Sequence, residues 1–170
     1  IIKTTGSKYV QSDSSVAFKN ALAESDKKYV VFGTPCQISG LRNLICQKKV
    51  EQNYFLIDFF CHGVPSYLLW WTFIDELSKK LGSLQHLELR NKARGWHRYE
   101  IFAVGAKGMW AKDFTQTPFG RFFLSNYCLR PSCYSCQYGQ KSDADLRLGD
   151  FWGKEFSNDI LGVSLAVPLN

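Results

Sequence analysis

The sequence is poor in several residue types that define common protein classes. Among its 170 residues there are one methionine, Met109, three histidines and five prolines. The longest notable uncharged stretch, Phe59 to Ile74, is interrupted by Gly63 and Pro65, whereas a membrane-spanning helix needs about 20 mostly apolar residues. The opening residues are too polar for a signal peptide. We therefore predict a cytoplasmic protein without a membrane span, and we interpret the chain as a fragment of a longer protein.

Several functional signatures are also absent. The sequence has no P-loop, no G-x-G-x-x-G motif and no ordered Ser-His-Asp set, which excludes the commonest kinase, dinucleotide-binding and hydrolase fingerprints. It contains no internal repeat and no low-complexity tract. The net charge of +6 is modest and no nucleic-acid-binding module is recognisable, so nucleic acid is not an expected partner.

The chain does contain enough apolar surface to fold. Apolar residues make up 45% of the sequence and aromatic residues 15%. This composition excludes intrinsic disorder and predicts a sizeable core. Because domains average about 100–200 residues, we interpret residues 1–170 as a single domain.

The first half of the chain has the alternating pattern of an α/β protein. The predicted elements, in order, are a helix from Ser14 or Ser15 to about Lys27, a strand over 29–32, a helix over 37–46, a strand over 54–60, and a helix from Ser66 to Lys80 closed by Gly82. Since a helix joins the two strands, we expect them to be parallel, as in a βαβ unit.

The second half is less regular. It predicts strands over 84–89, 99–104, 109–114, 146–148 and 163–167, a helix over 119–127, and a turn at Gly149-Asp150. The strands over 99–104 and 109–114 flank a short glycine-containing segment and predict a hairpin. The fold class is therefore α/β, with a mixed sheet, an N-terminal parallel βαβ unit, helices on the sheet faces, and an irregular Cys-rich loop at the sheet edge.

Two of the six cysteines follow directly after predicted parallel strands. Cys36 comes after the strand over 29–32, and Cys61 comes 25 residues later, after the strand over 54–60. The carboxyl ends of parallel strands in a βαβ unit lie at one edge of the sheet, where open α/β sheets place their ligand crevices. We therefore expect both thiols on the same side of the sheet.

A C-x-x-C pair adds two further thiols. Cys133 and Cys136 have the shortest common spacing that lets two thiolates reach one metal centre. With Cys36 and Cys61 they would complete a tetrahedral set of four thiolates. Spacing alone does not separate zinc from iron–sulfur. An alternative role for Cys36 is that of a reactive nucleophile, since it lies at a predicted helix start.

The remaining cysteines fit this pattern less well. Cys46 falls at the end of a predicted helix, and we interpret it as a packing residue. Cys128 precedes a loop that already supplies two thiols. His62 is adjacent to Cys61, so we interpret it as a loop residue or as one that orients a ligand. The other two histidines have no partner pattern.

Five ordered motifs give the sequence a family resemblance. It resembles the C-terminal domain of the coenzyme F-420 hydrogenase/dehydrogenase beta-subunit family from about Gly6 to the end. The motifs are Gly33-Thr34-Pro35-Cys36-Gln37 with Gly40-Leu41, Cys61-His62-Gly63-Val64-Pro65-Ser66, Lys92 to Gly95-Trp96, Leu129-Arg130-Pro131-Ser132-Cys133-Tyr134-Ser135-Cys136, and Asp143 to Gly149-Asp150-Phe151-Trp152-Gly153.

The resemblance implies an iron–sulfur flavoprotein oxidoreductase. Members of the family bind FAD and a [4Fe–4S] cluster and pass electrons between the cluster and a two-electron carrier such as a deazaflavin. By motif position, the cluster ligands would be Cys36, Cys61, Cys133 and Cys136. Members usually carry an N-terminal ferredoxin-like module as well, so the expected partners are such a module or a redox subunit.

The FAD that the resemblance implies would contact the turn at Gly33-Thr34-Pro35. Glycine there lets the backbone approach a ligand closely, and the start of the following helix favours a phosphate. Thr34, Gln37 and Ser39 are further hydrogen-bonding candidates.

Other flavin contacts are expected from the second half of the chain. Lys92, Arg94 and Arg98 suit the flavin pyrophosphate or an acidic substrate tail, with a solvated loop as the alternative. Asp150 would either anchor a cofactor hydroxyl or form a turn. Trp96 is interpreted as a buried residue, with stacking on a ring as the alternative.

A second function from another class also fits the cysteine pattern. The chain would then be a zinc-stabilised binding or scaffold domain, tied to polysaccharide synthesis and without redox activity. Iron and acid-labile sulfide in anaerobically prepared protein distinguish the first function from the second.

Overall fold

The computed structural model describes residues 9–10, 12–23 and 27–169. The chain divides into two compact units. The mixed-sheet unit comprises Ser12–His62, Ser135–Trp152 and Val163–Asn170, and the antiparallel unit comprises Ile1–Gln11, Gly63–Tyr134 and Gly153–Gly162. The interpretation of the chain as one domain stays a prediction. The polar opening segment, the start of the family resemblance near Gly6, and positions 24–26 of the first predicted helix lie outside the described residues.

Helices and strands follow the sequence pattern closely in the first half of the chain. The helices are α1 (Ser15–Ala23), α2 (Pro35–Lys48), α3 (Tyr67–Leu81), α4 (Pro118–Leu124) and α5 (Pro131–Tyr134). The strands are β1 (Tyr29–Phe32), β2 (Tyr54–Phe59), β3 (Leu84–Asn91), β4 (Glu100–Gly105), β5 (Gly108–Asp113), β6 (Leu146–Phe151) and β7 (Val163–Pro168). None of the helices within the described ranges has the length and apolar character that crossing a membrane requires.

The mixed-sheet unit contains a four-stranded sheet in the order β1-β2-β6-β7. β1 and β2 are parallel neighbours, with Tyr29 opposite Tyr54 and Phe32 opposite Ile57. β6 is parallel to β2, and β7 is antiparallel to β6. The predicted βαβ unit and the mixed sheet are therefore confirmed.

Helix α2 forms because its sequence supplies both a starting signal and an apolar face. Pro35 occupies the first turn, where its missing N–H has no helical acceptor in any case. Ile38, Leu41 and Ile45 are fully buried on one face, and burial of a side chain of this size contributes about 1.5–3 kcal/mol. Lys49 ends the helix in a left-handed conformation.

One face of the mixed sheet is covered by helices, whereas the other leaves several large apolar side chains exposed. Tyr54 and Leu56 of β2 are buried in a cluster with the apolar face of α2, and the Tyr54 hydroxyl donates to the Ala21 carbonyl of α1 at 2.9 Å. Phe55 and Phe59, which alternate with them, are exposed. Helices α1 and α2 therefore pack on the face that carries Tyr54 and Leu56.

The antiparallel unit contains a separate three-stranded sheet in the order β3-β4-β5. The predicted hairpin is present, since β4 and β5 pair in register from Glu100–Asp113 to Gly105–Gly108. The Ser66 side chain caps α3 by accepting from the Leu69 amide at 3.3 Å. The core of this unit contains Phe73, Leu77, Leu81, Leu89, Ile101, Ala103, Phe114, Phe119, Phe123 and Leu129.

The predicted turn at Gly149-Asp150 is wrong, because β6 continues through both residues to Phe151. Gly149 is needed there for a close approach, since a Cβ at this position would lie 2.5 Å from Cδ2 of Phe60. The predicted helix over 119–127 starts at Pro118 and ends at Leu124. The sequence also did not reveal that the hairpin belongs to a second sheet.

Candidate functional site

The carboxyl ends of β1 and β2 deliver Cys36 and Cys61 to the same edge of the mixed sheet. Phe32 and Ile57 are register partners in adjacent parallel strands, and each cysteine lies four residues further along its chain segment. Cys36 is exposed and Cys61 is half-buried. This edge is where open α/β sheets bind ligands.

Cys36 lies in the first turn of α2, next to the residue that begins the helix. The Thr34 hydroxyl is 3.3 Å from the Cys36 sulfur, and the Gly33 amide continues the parallel ladder by donating to the Ile57 carbonyl at 3.1 Å. Unpaired amides and the helix dipole at this end favour a negative charge. The turn therefore suits either a thiolate or a phosphate.

The Gln37 side chain holds this turn in place. Its amide oxygen accepts hydrogen bonds from the Thr34 amide at 3.1 Å and the Thr34 hydroxyl at 2.9 Å. Its amide nitrogen donates to the Ser14 hydroxyl at 3.2 Å, just before α1. Gln37 and Thr34 thus support the local structure, and their polar side-chain atoms have partners within the chain.

A buried ion pair joins the neighbouring strands β2 and β6. Arg147 of β6 donates from Nε and Nη2 to the two carboxylate oxygens of Asp58 in β2, at 2.8 and 2.7 Å. The Asp58 side chain is fully buried and the Arg147 side chain is 6% exposed. The hydrogen bond from Arg147 to Asp58 is the main cause that raises the pKa of Arg147, and the charges of Asp58 and Cys61 also raise it. Desolvation by burial lowers the pKa and is outweighed.

The same ion pair anchors the segment that precedes β6. The Ser142 hydroxyl donates to Asp58 at 2.6 Å, and Arg147 Nη2 donates to the Lys141 carbonyl at 2.9 Å. A second arginine, Arg42 of α2, binds the Asp145 carboxylate at 2.6 Å. Residues 141–145 are thereby fixed to the mixed sheet and to α2.

The two cysteines of the C-x-x-C motif fall in different units. Cys133 is half-buried in α5, and its Cβ would be 3.6 Å from a Cβ built on Gly63. Gly63 is two residues after Cys61 in the chain. Cys136 is exposed and belongs to the mixed-sheet unit.

The described part of the chain contains no group of three or more His, Cys, Asp or Glu side chains placed to hold a metal ion. The convergence of the four predicted ligands on one centre therefore stays a prediction. The donor chemistry itself fits an iron–sulfur cluster, since all four side chains are free thiols.

The other cysteines differ from these four. Cys46 is exposed, so its interpretation as a packing residue is wrong. Local desolvation and then the hydrogen bond and charge of Glu51 raise the pKa of the Cys46 thiol, which disfavours the thiolate. The carbonyl of Cys128 accepts from the Ser66 amide at 2.7 Å, a backbone role at the start of α3.

The basic segment after β3 is an exposed turn in the antiparallel unit. Lys92 and Arg94 are exposed, and the Gly95 amide closes the turn by donating to the Lys92 carbonyl at 2.9 Å. Arg98 is also exposed. All three predicted basic contacts, Lys92, Arg94 and Arg98, are therefore on exposed positions of this segment.

Trp96 is buried, as its packing interpretation predicted, with 4% of its surface exposed. Its amide donates to the Ile160 carbonyl at 2.8 Å. The Arg90 guanidinium carbon lies 5.1 Å from the Trp96 ring centroid and 4.5 Å from that of Tyr99. These contacts give the indole a structural role in this unit.

The remaining predicted contacts lie in the mixed-sheet unit. Asp150 is exposed on β6, opposite Ser164 of β7. Ser39 is buried in α2, and Pro35 is buried at its start. His62 is exposed beside Cys61.

The sequence analysis missed Asp58 and Arg147 as site residues. The available signal was a charge of opposite sign within two largely apolar strands, Asp58 in Tyr54–Phe59 and Arg147 between two leucines in Leu146–Phe151. A buried charge is costly unless it is paired, so opposite charges in two apolar strands of one sheet indicate a pair.

An α/β domain with cysteines at the carboxyl edge of a mixed sheet is an architecture compatible with cofactor-dependent chemistry. The family model for the C terminus of the coenzyme F420 hydrogenase/dehydrogenase beta subunit matches residues 26–165. The chain therefore belongs to this family, whose membership supports an oxidoreductase role. A search of curated proteins found no match.

Proposed function

We propose that the chain is an iron–sulfur flavoprotein domain that passes electrons between a [4Fe–4S] cluster, FAD and a two-electron carrier such as a deazaflavin. The observation that carries the proposal is the placement of Cys36 and Cys61 after adjacent parallel strands, at one edge of the mixed sheet. Family membership supports a redox role in general terms.

The proposed cluster ligands are Cys36, Cys61, Cys133 and Cys136. Cys36 benefits from the start of α2, where negative charge is favoured. Cys133 packs beside Gly63, two residues from Cys61 along the chain. Cys36, Cys61 and Cys136 belong to the mixed-sheet unit, and Cys133 belongs to the antiparallel unit.

The proposed FAD contacts are the turn at the start of α2, the basic turn after β3, and Asp150. In the first turn, Thr34 and Gln37 are bonded to each other, so they would hold the backbone of Gly33 and Pro35 in shape. Lys92 and Arg94 would bind the pyrophosphate, and the Asp150 carboxylate would accept from a cofactor hydroxyl. When bound, the two groups supply one-electron and two-electron exchange, and the residues named here bind and orient them.

The proposed partners are a redox subunit or an N-terminal ferredoxin-like module, together with a deazaflavin or similar carrier. Family membership supports a partner subunit, because the family is described as the beta subunit of a larger enzyme.

Anaerobic reconstitution tests the proposed cluster. We expect about four irons and four sulfides per chain, with broad visible absorption that bleaches on reduction. Cys36→Ala, Cys61→Ala, Cys133→Ala and Cys136→Ala should each lose most of the iron. Cys46→Ala is the matched control, because this cysteine is exposed in the same helix as Cys36 and is outside the proposed set. Stoichiometric zinc without sulfide would instead establish the zinc-stabilised scaffold.

A further inference from the structure

We propose that Arg147 is a positioning residue for two of the thiols, Cys61 and Cys136, and that it acts together with Asp58. This inference rests on the proposed function. It concerns how the mixed-sheet unit holds the ligand-bearing segments.

The guanidinium of Arg147 ties three segments of the chain together. It belongs to β6, binds both carboxylate oxygens of Asp58 in β2, and donates to the Lys141 carbonyl. Asp58 in turn accepts from the Ser142 hydroxyl. Asp58 and Arg147 are register partners in the parallel pair β2 and β6, and their side chains also hold residues 141 and 142 of the segment before β6.

This attachment restricts the position of Cys136. Cys136 precedes Lys141 by five residues, and a fully extended chain of that length spans at most about 18 Å. Loss of the anchor at 141–142 would lengthen the free segment before β6. The thiol would then sample more positions, and ligand binding would carry a larger entropic cost.

The charge of Arg147 lies close to the residue that precedes the other thiol. Its guanidinium carbon is 5.3 Å from the centroid of the Phe60 ring, and Phe60 directly precedes Cys61. Asp58 lies three residues before Cys61 and carries a negative charge, opposite to that of Arg147. Charges and hydrogen bonds near cluster ligands set the reduction potential, so these two residues should influence the potential in opposite directions.

Four variants test the proposal. Arg147→Met removes the anchor and the positive charge, Arg147→Lys retains the charge, and Asp58→Asn removes the negative charge. The double variant Asp58→Asn with Arg147→Met leaves no unpaired buried charge, and it keeps the test available if a single variant does not fold. Arg42→Met is the control, because Arg42 holds Asp143 and Asp145 of the same segment.

The first measurement is hydrogen exchange in the metal-free chain. We expect faster exchange over residues 135–142 in Arg147→Met and in the double variant, with Arg42→Met changing residues 143–145 instead. The second measurement is iron affinity after reconstitution, which should fall about 10- to 100-fold in Arg147→Met, as is usual when a residue that orients ligands is lost. Arg42→Met should keep the iron.

The third measurement is the midpoint potential of the reconstituted chain. A positive charge stabilises the more negative, reduced cluster, so Arg147→Met should lower the potential, Asp58→Asn should raise it, and Arg147→Lys should stay near the parent value. A residue with only a general structural role would not give shifts of opposite sign.

The outcomes separate the two proposals. If the parent chain assembles a cluster while Arg147→Met has unchanged exchange, iron affinity and potential, the positioning role is overturned and the proposed function stands. If the parent chain assembles no cluster, the proposed function fails, and the inference about ligand positioning fails with it.

Discussion

Gly162 lies directly against the indole of Trp96, so that a Cβ on Gly162 would overlap the ring. The backbone of Gly162 has φ of +77°, a conformation that residues with side chains rarely adopt. Trp96 in turn is held by the Ile160 carbonyl, two residues before Gly162. Close packing and backbone conformation therefore both require glycine at this position.

We expect Gly162→Ala to destabilise the protein, because the added methyl group must displace the buried Trp96 ring. Gly108→Ala is the control, since Gly108 also has a positive φ, of 133°, but nothing lies within 4 Å of an added Cβ. Overpacking should make Gly162→Ala about 1–3 kcal/mol more destabilising than the control. Urea denaturation followed by tryptophan fluorescence measures the difference, and equal losses would contradict the contact.

The buried ion pair predicts a large effect on stability. Asp58→Ala leaves the Arg147 guanidinium buried without its carboxylate, which should lower the free energy of unfolding by about 3–5 kcal/mol. The comparison is Asp75→Ala, which breaks an ion pair with Lys79 of similar length, 2.6 Å against 2.7 Å, on the exposed surface of α3. Chemical denaturation should show little change for Asp75→Ala. Similar losses in both variants would argue against the buried pair.

Glu88 should make a small, pH-dependent contribution to stability. The hydrogen bond from His86, followed by that from Asn91, lowers the pKa of Glu88 below its ordinary value. A lowered folded-state pKa gives stability that is present above the unfolded-state pKa and is lost as pH falls through the folded-state value. Because the Glu88 side chain is 42% exposed, the contribution should stay below about 1 kcal/mol.

The difference in urea midpoint between the parent chain and Glu88→Gln, followed from about pH 7 to about pH 3, measures this contribution. We expect the difference to shrink as pH falls. His86→Ala should reduce it at neutral pH, because His86 makes the leading contribution. A difference that is constant with pH would mean that the carboxylate charge is not involved.

The proposed contact between FAD and the basic turn after β3 predicts a specific effect of two substitutions on FAD binding. Lys92→Gln and Arg94→Gln should each weaken FAD binding about tenfold or more, since a hydrogen bond to a charged group contributes about 1.5–3 kcal/mol. Lys107→Gln removes the same charge from the exposed β4–β5 turn and should leave the affinity unchanged. Titration with FAD, followed by flavin fluorescence, gives the affinities. If Lys107→Gln weakens binding as much as the other two, the effect is one of net charge.

The sequence predicts the parallel core of the mixed sheet well, because β1 and β2 are short apolar runs joined by a helix with a clear apolar face. Their parallel pairing then predicts that Cys36 and Cys61 lie at one edge, and the register agrees. These predictions depend on local sequence patterns and on the rule that two strands joined by a crossover helix are parallel.

The features that the sequence did not reveal depend on contacts between distant residues. Asp58 and Arg147 are 89 residues apart, and nothing local to either residue identifies its partner. Gly149 predicts a turn when read with its neighbours, but its function in β6 is to make room for Phe60. The division of the chain into two sheets likewise follows from packing rather than from the strand patterns.

Ser14 is connected to Cys36 through a short series of side-chain contacts. The series runs from Ser14 to the Gln37 amide, from there to the Thr34 hydroxyl, and then to the Cys36 sulfur. Side-chain contacts therefore connect the residue that precedes α1 to the immediate surroundings of the Cys36 thiol. Loss of the Ser14 hydroxyl would remove one of the hydrogen bonds that hold the Gln37 side chain against Thr34, whose hydroxyl lies beside the sulfur.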